Sequence, residues 1–103
     1  MEKIAMLTEI LAANPADSFA RYGLAMEHLS QGNNDAALSE FTATTEHNPD
    51  YVPAHQMSGQ TLAKLHRNDE AIARLKDGIA AAARTRNSHA TSEMQALLDE
   101  LEG

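Results

Sequence analysis

Histidines are the residues of this chain whose chemistry could serve a metal ion or a catalytic proton transfer. A helical zinc site needs two ligands three or four residues apart on one face, and no two histidines here have that spacing. The chain also has no cysteine, so no thiolate ligand is available. The spacing therefore predicts no metal site and no cofactor, and each histidine is expected to be solvent-facing or partly buried. The five are His28, His47, His55, His66 and His89.

Acidic residues and glycines add nothing to a catalytic interpretation. Glu27, Glu40 and Glu46 are spaced as ordinary solvated helix faces. Neither a GxGxxG nor a GxxxxGK loop is present to hold a phosphate. No set of Ser, His and Asp stands out along the chain, although such a triad is defined by geometry in space and not by sequence order. We therefore expect a protein that is not an enzyme.

Charge narrows the class of partner. The 103 residues carry a net charge of -7, with eight acidic and two basic residues in 1–50 against seven and six in 51–103. Binding to nucleic acid needs a basic face that neutralises phosphates, so nucleic acid is not expected as a partner. No stretch is long and apolar enough for a membrane span, and the amino-terminal apolar run contains an acid, unlike a secretory signal. The sequence predicts a cytoplasmic protein with no membrane partner.

An apolar stripe in the second helical segment indicates binding instead. Leu24, Ala25 and His28 already give this segment one face for packing against a neighbouring helix. Four more large side chains follow i, i+3, i+7, i+10 spacing and so share another face of the same helix. We call this face the α2 stripe, and it consists of Phe19, Tyr22, Met26 and Leu29.

Six helical segments separated by short turns must position these residues. Helical periodicity and capping residues place them at about 2–13, 17–30, 34–47, 51–65, 68–84 and 87–101. The breaks are chemically motivated, because proline disfavours helix in the residue before it and glycine favours a helix end. No β-branched alternation of useful length occurs, so the fold is expected to be all-α.

A 34-residue offset relates the segments to one another. Residues 14–47 and 48–81 share six identities at that offset, and these fall at breaks, turns and helix contacts. A fixed period of this length marks stacked repeat units. The alternative is an irregular helical bundle that echoes itself. The identical pairs are Asn14/Asn48, Pro15/Pro49, Ala20/Ala54, Asn34/Asn68, Asp35/Asp69 and Ala37/Ala71.

At these positions the chain resembles the tetratricopeptide repeat family, whose pattern combines aromatic, leucine, small and proline positions. The residues at the pattern's positions are Arg21, Leu24, Ala25, His28, Ala37, Phe41 and Pro49, then His55, Ser58, Gly59, Leu62, Ala71, Leu75 and Ala83. The tryptophan-like and tyrosine-like positions are not aromatic in either repeat, and Ser58 and Ala83 replace leucine and proline. The resemblance implies a right-handed α-α superhelix of about six antiparallel helices in one domain, residues 1–103. Its parts would be a half-repeat helix (2–15), two repeats (16–49 and 50–84) and a capping helix (87–101). His28 would replace an aromatic core residue.

The last segment departs from the repeat. A 34-residue shift would place His89, Ser92, Glu93 and Ala96 on its buried face, which is costly for polar groups. The apolar residues of this segment are Ala90, Met94, Leu97 and Leu98. We therefore expect the helix to be rotated, or its linker to be longer by a residue or so, and to form a terminal cap whose outer face is polar.

The resemblance also implies where a partner would bind. In similar proteins the face that corresponds to the α2 stripe lines a concave groove for peptides, and the following unit places Pro53, Gln56, Gln60 and Lys64 on the corresponding face. The groove would be apolar at one end and polar at the other. The lysine and asparagine clamp that grips a terminal carboxylate in the best-known branch is absent, since Tyr22 and Met26 occupy those places. A chaperone carboxyl terminus is therefore not expected as the ligand.

Two hypotheses of function remain. The first is a module that binds a peptide or helical segment of a partner protein in the groove, through the α2 stripe together with Gln56, Gln60 and Lys64. The second is a homodimer that pairs through the α2 stripe or through Leu97, Leu98 and Leu101 of the last helix. The stripe could also be covered by the first helix or by the cap.

Overall fold

The computed structural model describes residues 2–103, which form six α-helices and no strand. Each helix begins and ends within about one residue of a segment that periodicity and capping residues predict. The all-α prediction is confirmed. The helices are α1 (Glu2–Ala13), α2 (Ser18–Ser30), α3 (Asn34–His47), α4 (Val52–Lys64), α5 (Asn68–Arg84) and α6 (Ser88–Glu102).

Side-chain caps fix where α2 and α6 begin. Asp17 accepts a hydrogen bond from the backbone N–H of Ala20 at 3.0 Å. Asn87 accepts the same bond from Ala90, also at 3.0 Å. Each cap satisfies a backbone donor that has no partner within the helix. The first helical turn is thereby set in the same way at both positions.

The turns after α2 and α4 share one geometry. Gly32 has a φ of 79° and His66 a φ of 60°, both in the left-handed region. The next residue then donates back to the helix, from Asn33 to the carbonyl of His28 and from Arg67 to the carbonyl of Leu62, each at 2.9 Å. This is the usual glycine-type helix end. Unit by unit, the chain thus repeats a turn as well as a helix pair.

The chain divides into two compact units, Met1–Asn48 and Pro49–Gly103. In the first, α1 and α2 pack through Leu11, Ala20 and Leu24, with Ile4 and Leu7 partly buried beside them. In the same unit α2 packs on α3. A salt bridge of 2.9 Å between Arg21 of α2 and Glu40 of α3 joins these two helices.

The second unit has a larger apolar core built from α4, α5 and α6. The closest approach is at two glycines of α4 and α5. A Cβ on Gly59 would lie 2.6 Å from Leu75 Cδ2, and one on Gly78 would lie 2.6 Å from Met94 Sδ. Only glycine lets these helices come so close. The buried core residues are Val52, Leu75, Ala81, Ala82, Ala90, Met94 and Leu98.

The last helix, α6, is out of register, as the sequence predicts. The N-caps Asp17 and Tyr51 are 34 residues apart, whereas Asn87 follows Tyr51 by 36. The cause lies in α5, where Ala82-Ala83 replaces the Asn48-Pro49 break, so α5 has 17 residues against 14 in α3. Ala90, Met94 and Leu98 are buried, while His89, Ser92, Glu93 and Ala96 are exposed.

Candidate binding surface

Exposed apolar side chains concentrate in one part of the first unit. Phe19, in the first turn of α2, is 79% exposed, and Met6 and Ile10 of α1 are 54% and 39% exposed. These are the exposed large hydrophobic residues among residues 2–103. Single exposed apolar residues are normal on a protein surface, but three of them on one helix pair make this surface a candidate for interaction.

The rest of the α2 stripe is half-buried. Tyr22 packs its ring on that of Phe41, with centroids 5.8 Å apart and an interplanar angle of 47°. Phe41 is completely buried, so it holds the tyrosine against a rigid support. Leu29 and Met26 are also half-buried. Along α2 the stripe therefore changes from a mostly exposed phenylalanine to side chains that are half-buried within the first unit.

Met26 belongs to a second feature, an open cavity of about 300 Å³ between α1 and α2. Its floor is Gly23 beside Leu7, where a Cβ on the glycine would lie 3.5 Å from both leucine methyl groups. That distance is ordinary contact, so the glycine deepens the cavity without being required for helix packing. We call this cavity the α1–α2 groove, and it is lined by Lys3, Met6, Leu7, Gly23, Met26 and Glu27.

The predicted polar part of the site lies on α4. Gln60 and Lys64 are exposed, and Gln56 is half-buried. The Gln56 amide donates a hydrogen bond to the Glu93 carboxylate of α6 at 3.0 Å. The capping helix therefore engages one of the three residues, while the other two extend into solvent.

The first unit is strongly acidic. Residues 1–48 contain seven acidic and only two basic side chains. Both bases are in ion pairs, Lys3 with Glu27 at 3.7 Å and Arg21 with Glu40 at 2.9 Å. The Lys3–Glu27 pair joins α1 to α2 at one edge of the α1–α2 groove. A partner with basic flanks is therefore favoured at this surface.

One histidine is placed differently from the expectation. His55 is only 5% exposed and so is neither solvent-facing nor partly buried. Its Nε2 lies 2.8 Å from the carbonyl oxygen of Pro49, which holds the ring in the core where the family pattern has an aromatic residue. His28 of the first repeat also replaces an aromatic residue of the family pattern, and it is half-buried. Within residues 2–103 no group of three histidine or acidic side chains could hold a metal ion.

The α1–α2 groove is the feature that sequence reasoning missed. Met6 and Ile10 lie off the Ile4, Leu7 and Leu11 stripe of α1, so periodicity alone gives them no role. Two repeat lengths further on, their counterparts are Arg74 and Gly78. A large apolar residue in place of an arginine was the available signal.

Known proteins similar to this chain share its repeats. Two profiles of the tetratricopeptide repeat match, over residues 28–100 and residues 4–51. A tetratricopeptide repeat domain protein from Salinibacter ruber, solved in solution, is 37% identical over 87% of this chain and 91% of its own, with a TM-score of 0.80. No protein of curated function matches.

Two more distant structures share the fold. A protein from Bordetella parapertussis is 25% identical over 96% of this chain and 86% of its own, with a TM-score of 0.79. The TPR2B domain of yeast Sti1, solved as a complex with pHsp70, is 16% identical over 96% of this chain and 79% of its own, with a TM-score of 0.87. At 16% identity the likeness concerns the fold alone. In residues 2–103 no helix is long and apolar enough to cross a membrane.

Proposed function

The chain belongs to the tetratricopeptide repeat family, and we propose that it acts by binding a peptide or helical segment of a partner protein, with no catalytic step. The family is a scaffold for interactions between proteins. The observation that carries the proposal here is Phe19, a large aromatic side chain held 79% exposed at the start of α2. A large exposed aromatic residue of this kind can serve as an anchor in a protein interface.

The proposed contact begins with the α2 stripe and includes Gln56, Gln60 and Lys64 of α4. Phe19 offers free apolar area, and Met26 offers a flexible side chain that adapts to different partners. Tyr22 is already oriented by its contact with Phe41, so little of its freedom is lost on binding. Gln60 and Lys64 are exposed and able to bind polar groups of a partner.

The fold itself is compatible with this activity. The Sti1 domain that shares it was solved in a complex with pHsp70. Recognition of an extended or helical segment by a preformed helical surface needs shape and no chemical step. A cytoplasmic location and a single domain over residues 1–103 remain predictions from the sequence.

The proposal is tested by comparing partner capture for two matched variants. Phe19→Ser removes the exposed anchor, and we expect it to lose the captured partner while leaving the melting temperature nearly unchanged. His89→Ser is the control, since His89 occupies the position of Phe19 relative to the N-cap of α6 and its side chain is 85% exposed. Equal capture by wild type and both variants, measured by quantitative mass spectrometry, would refute a role for the α2 stripe.

Self-association is the second candidate, and one observation favours it. Met6, Ile10 and Phe19 together leave apolar area exposed that a second copy could cover. The last helix offers less than the sequence suggests, because Leu98 is buried and Leu97 and Leu101 pack against the core of their own unit. Size-exclusion chromatography with light scattering decides: a dimer that Phe19→Ser dissociates would support this alternative, and a monomer at high concentration would exclude it.

A further inference from the structure

We infer that the α1–α2 groove is a docking site for an amphipathic helix of a partner protein, which lies there as α4 lies on α5 and α6. Apart from Met26, the groove residues are not part of the α2 stripe, so this is a second surface beyond the proposed one. Substitutions at Met6 and at Tyr22 separate the two.

The repeat relates helices of the first unit to helices of the second. Leu7 of α1 lies 68 residues, two repeat lengths, before Leu75 of α5. The N-caps Asp17 and Asn87 show that α2 corresponds to α6 with an offset of 70. The pair α1 and α2 is therefore the counterpart of the pair α5 and α6, and Gly23 is the counterpart of Glu93.

In the second unit α4 lies against part of the surface that corresponds to the groove. Its Gly59 lies directly against Leu75, where a Cβ would be only 2.6 Å from the leucine Cδ2. Its Gln56 donates to Glu93 at 3.0 Å. Leu75 and Glu93 correspond to Leu7 and Gly23, which form the floor of the groove. The same chain thus shows that a helix fits across this pair of positions.

The comparison also specifies the face that an incoming helix must present. Opposite Leu7 it needs glycine or alanine, because Gly59 holds that place on α4. One turn earlier α4 has His55, whose Cβ would lie 2.8 Å from a Cβ on Gly78. The counterpart of Gly78 on α1 is Ile10, which is not among the groove-lining residues but is larger than glycine, so alanine in place of histidine avoids a clash there. The partner helix therefore carries glycine or alanine opposite Leu7.

Charge favours a partner protein over a second copy of this chain. The segment that contains α4, residues 51–68, has Lys64 and Arg67 and no acidic residue. The first unit is acidic, with seven acids against two bases. A second copy of this chain carries a net charge of -7 and would bring like charge to this surface, and its own α4 is packed against Leu75 in its core. A helix with a basic flank is the matching occupant.

The direct test uses a synthetic probe and the full chain. The probe is a peptide of residues 51–68 carrying His55→Ala, and its binding is followed on protein labelled with ¹³C at the methionine methyl groups. We expect saturable shifts of Met6 and Met26 with Met94 unchanged. A short helix is marginal alone, so affinity of roughly 10⁻⁴ M is expected.

Two controls test the contact with Leu7 and the location of the binding site. A peptide that also carries Gly59→Leu should bind at least about tenfold more weakly, because a large side chain overfills the contact with Leu7. Met6→Glu in the protein should weaken binding by a similar factor, whereas Ala96→Glu, which adds the same charge to exposed α6, should not. Far-UV circular dichroism verifies that both protein variants remain helical.

Three results would overturn the inference. They are the absence of binding at millimolar peptide, a shift of Met94 that shows the peptide replacing α4 in the second unit, and a dimer of the free chain with Met6 in its interface. None of these results tests the α2 stripe, because the Phe19→Ser variant could still lose partner capture in each case. Failure of the two proposals is therefore distinguishable.

Discussion

The helix pairs α1–α2 and α5–α6 are counterparts in the repeat, but the corresponding surface is open in the first pair and in contact with α4 in the second. In the second unit α4 packs against it at Leu75, the counterpart of Leu7, and Leu75 is completely buried. In the first unit the surface is the open α1–α2 groove, and Met6 at its edge is 54% exposed. A repeat thus gives one chain a stabilising contact and a candidate binding surface from the same geometry, and what differs is whether the helix pair is covered.

The surroundings of the glycines differ between the two units in the same way. Gly59 and Gly78 are buried where helices touch, and a Cβ on either would approach other side chains within 3 Å. Gly23 lines the groove, and a Cβ there would find its nearest neighbours at 3.5 Å. In the covered unit glycine is needed for close packing. In the open unit it leaves room that residues 2–103 do not fill.

The largest effect should separate two methionines. Met94→Ala removes a side chain from the closed core and is expected to lower the free energy of unfolding by about 2–4 kcal/mol. Met6→Ala removes an exposed side chain and should change it by less than about 0.5 kcal/mol. Urea denaturation of both variants measures the two values. Equal losses would contradict the difference in burial between Met94 and Met6.

Alanine at the glycines should act with opposite signs. Gly78→Ala forces the new methyl against His55 and Met94, and we expect a loss of about 1–3 kcal/mol in unfolding free energy. Gly23→Ala meets no such obstacle and should raise stability by about 0.5–1 kcal/mol through helix propensity. Thermal unfolding would show this as melting temperatures on either side of wild type. A stabilised Gly78→Ala variant would mean that the space around Gly78 in solution is larger than the distances in the structure indicate.

The turns after α2 and α4 offer a smaller comparison. Gly32 ends α2 without strain, whereas His66 adopts the same left-handed conformation with a side chain. His66 is exposed, so replacing it alters no core contact. His66→Gly is therefore expected to stabilise the protein by about 0.5–1 kcal/mol, measured by urea denaturation. A loss of stability would show that the imidazole makes a contact worth more than the backbone strain.

The smallest effect concerns an ion pair present only in the second unit. Arg67 donates two hydrogen bonds to Glu70, at 2.7 and 2.9 Å, whereas the first unit has Asn33 and Ala36 in those positions. The Arg67 guanidinium, chiefly through these hydrogen bonds, lowers the pKa of Glu70 below its ordinary value. A carboxyl pKa that is lower in the folded state contributes stability at neutral pH, and that contribution is lost as pH falls through the folded pKa.

Both side chains of this pair are exposed, so the effect on stability should be barely measurable. The pKa itself is the better observable. In a carboxyl ¹³C NMR titration, Arg67→Asn should move the Glu70 pKa upward to that of an unpaired glutamate. An unchanged titration curve would mean that the pair does not form in solution.

Much of the fold could be predicted because its causes are local. Proline after Asn14 and Asn48, the N-caps at Asp17 and Asn87, and helical periodicity set the helix bounds without any long-range information. The register of α6 was also predictable, since polar residues would otherwise be buried. The length of its shift was not evident, because it depends on α5 continuing through Ala82-Ala83.

The candidate site was less accessible to sequence reasoning. The stripe of Phe19 and its neighbours follows from helical spacing, but exposure depends on which helices cover it. His55 shows the same limit in reverse, because its burial follows from packing and from the carbonyl of Pro49. The α1–α2 groove needs comparison of helices two repeats apart before Met6 becomes unusual. Tertiary contacts, not residue types, decide these features.

The most direct measurement is the rate at which hydrogen peroxide oxidises each methionine in the free chain, read by peptide mapping and mass spectrometry. If the α1–α2 groove is open, Met6 reacts at nearly the rate of a free methionine, and Met94 reacts only when its unit opens. We therefore predict rapid oxidation of Met6 with Met94 protected, at any protein concentration. Protection of Met6 comparable to that of Met94 would contradict the presence of an open binding surface on the first unit.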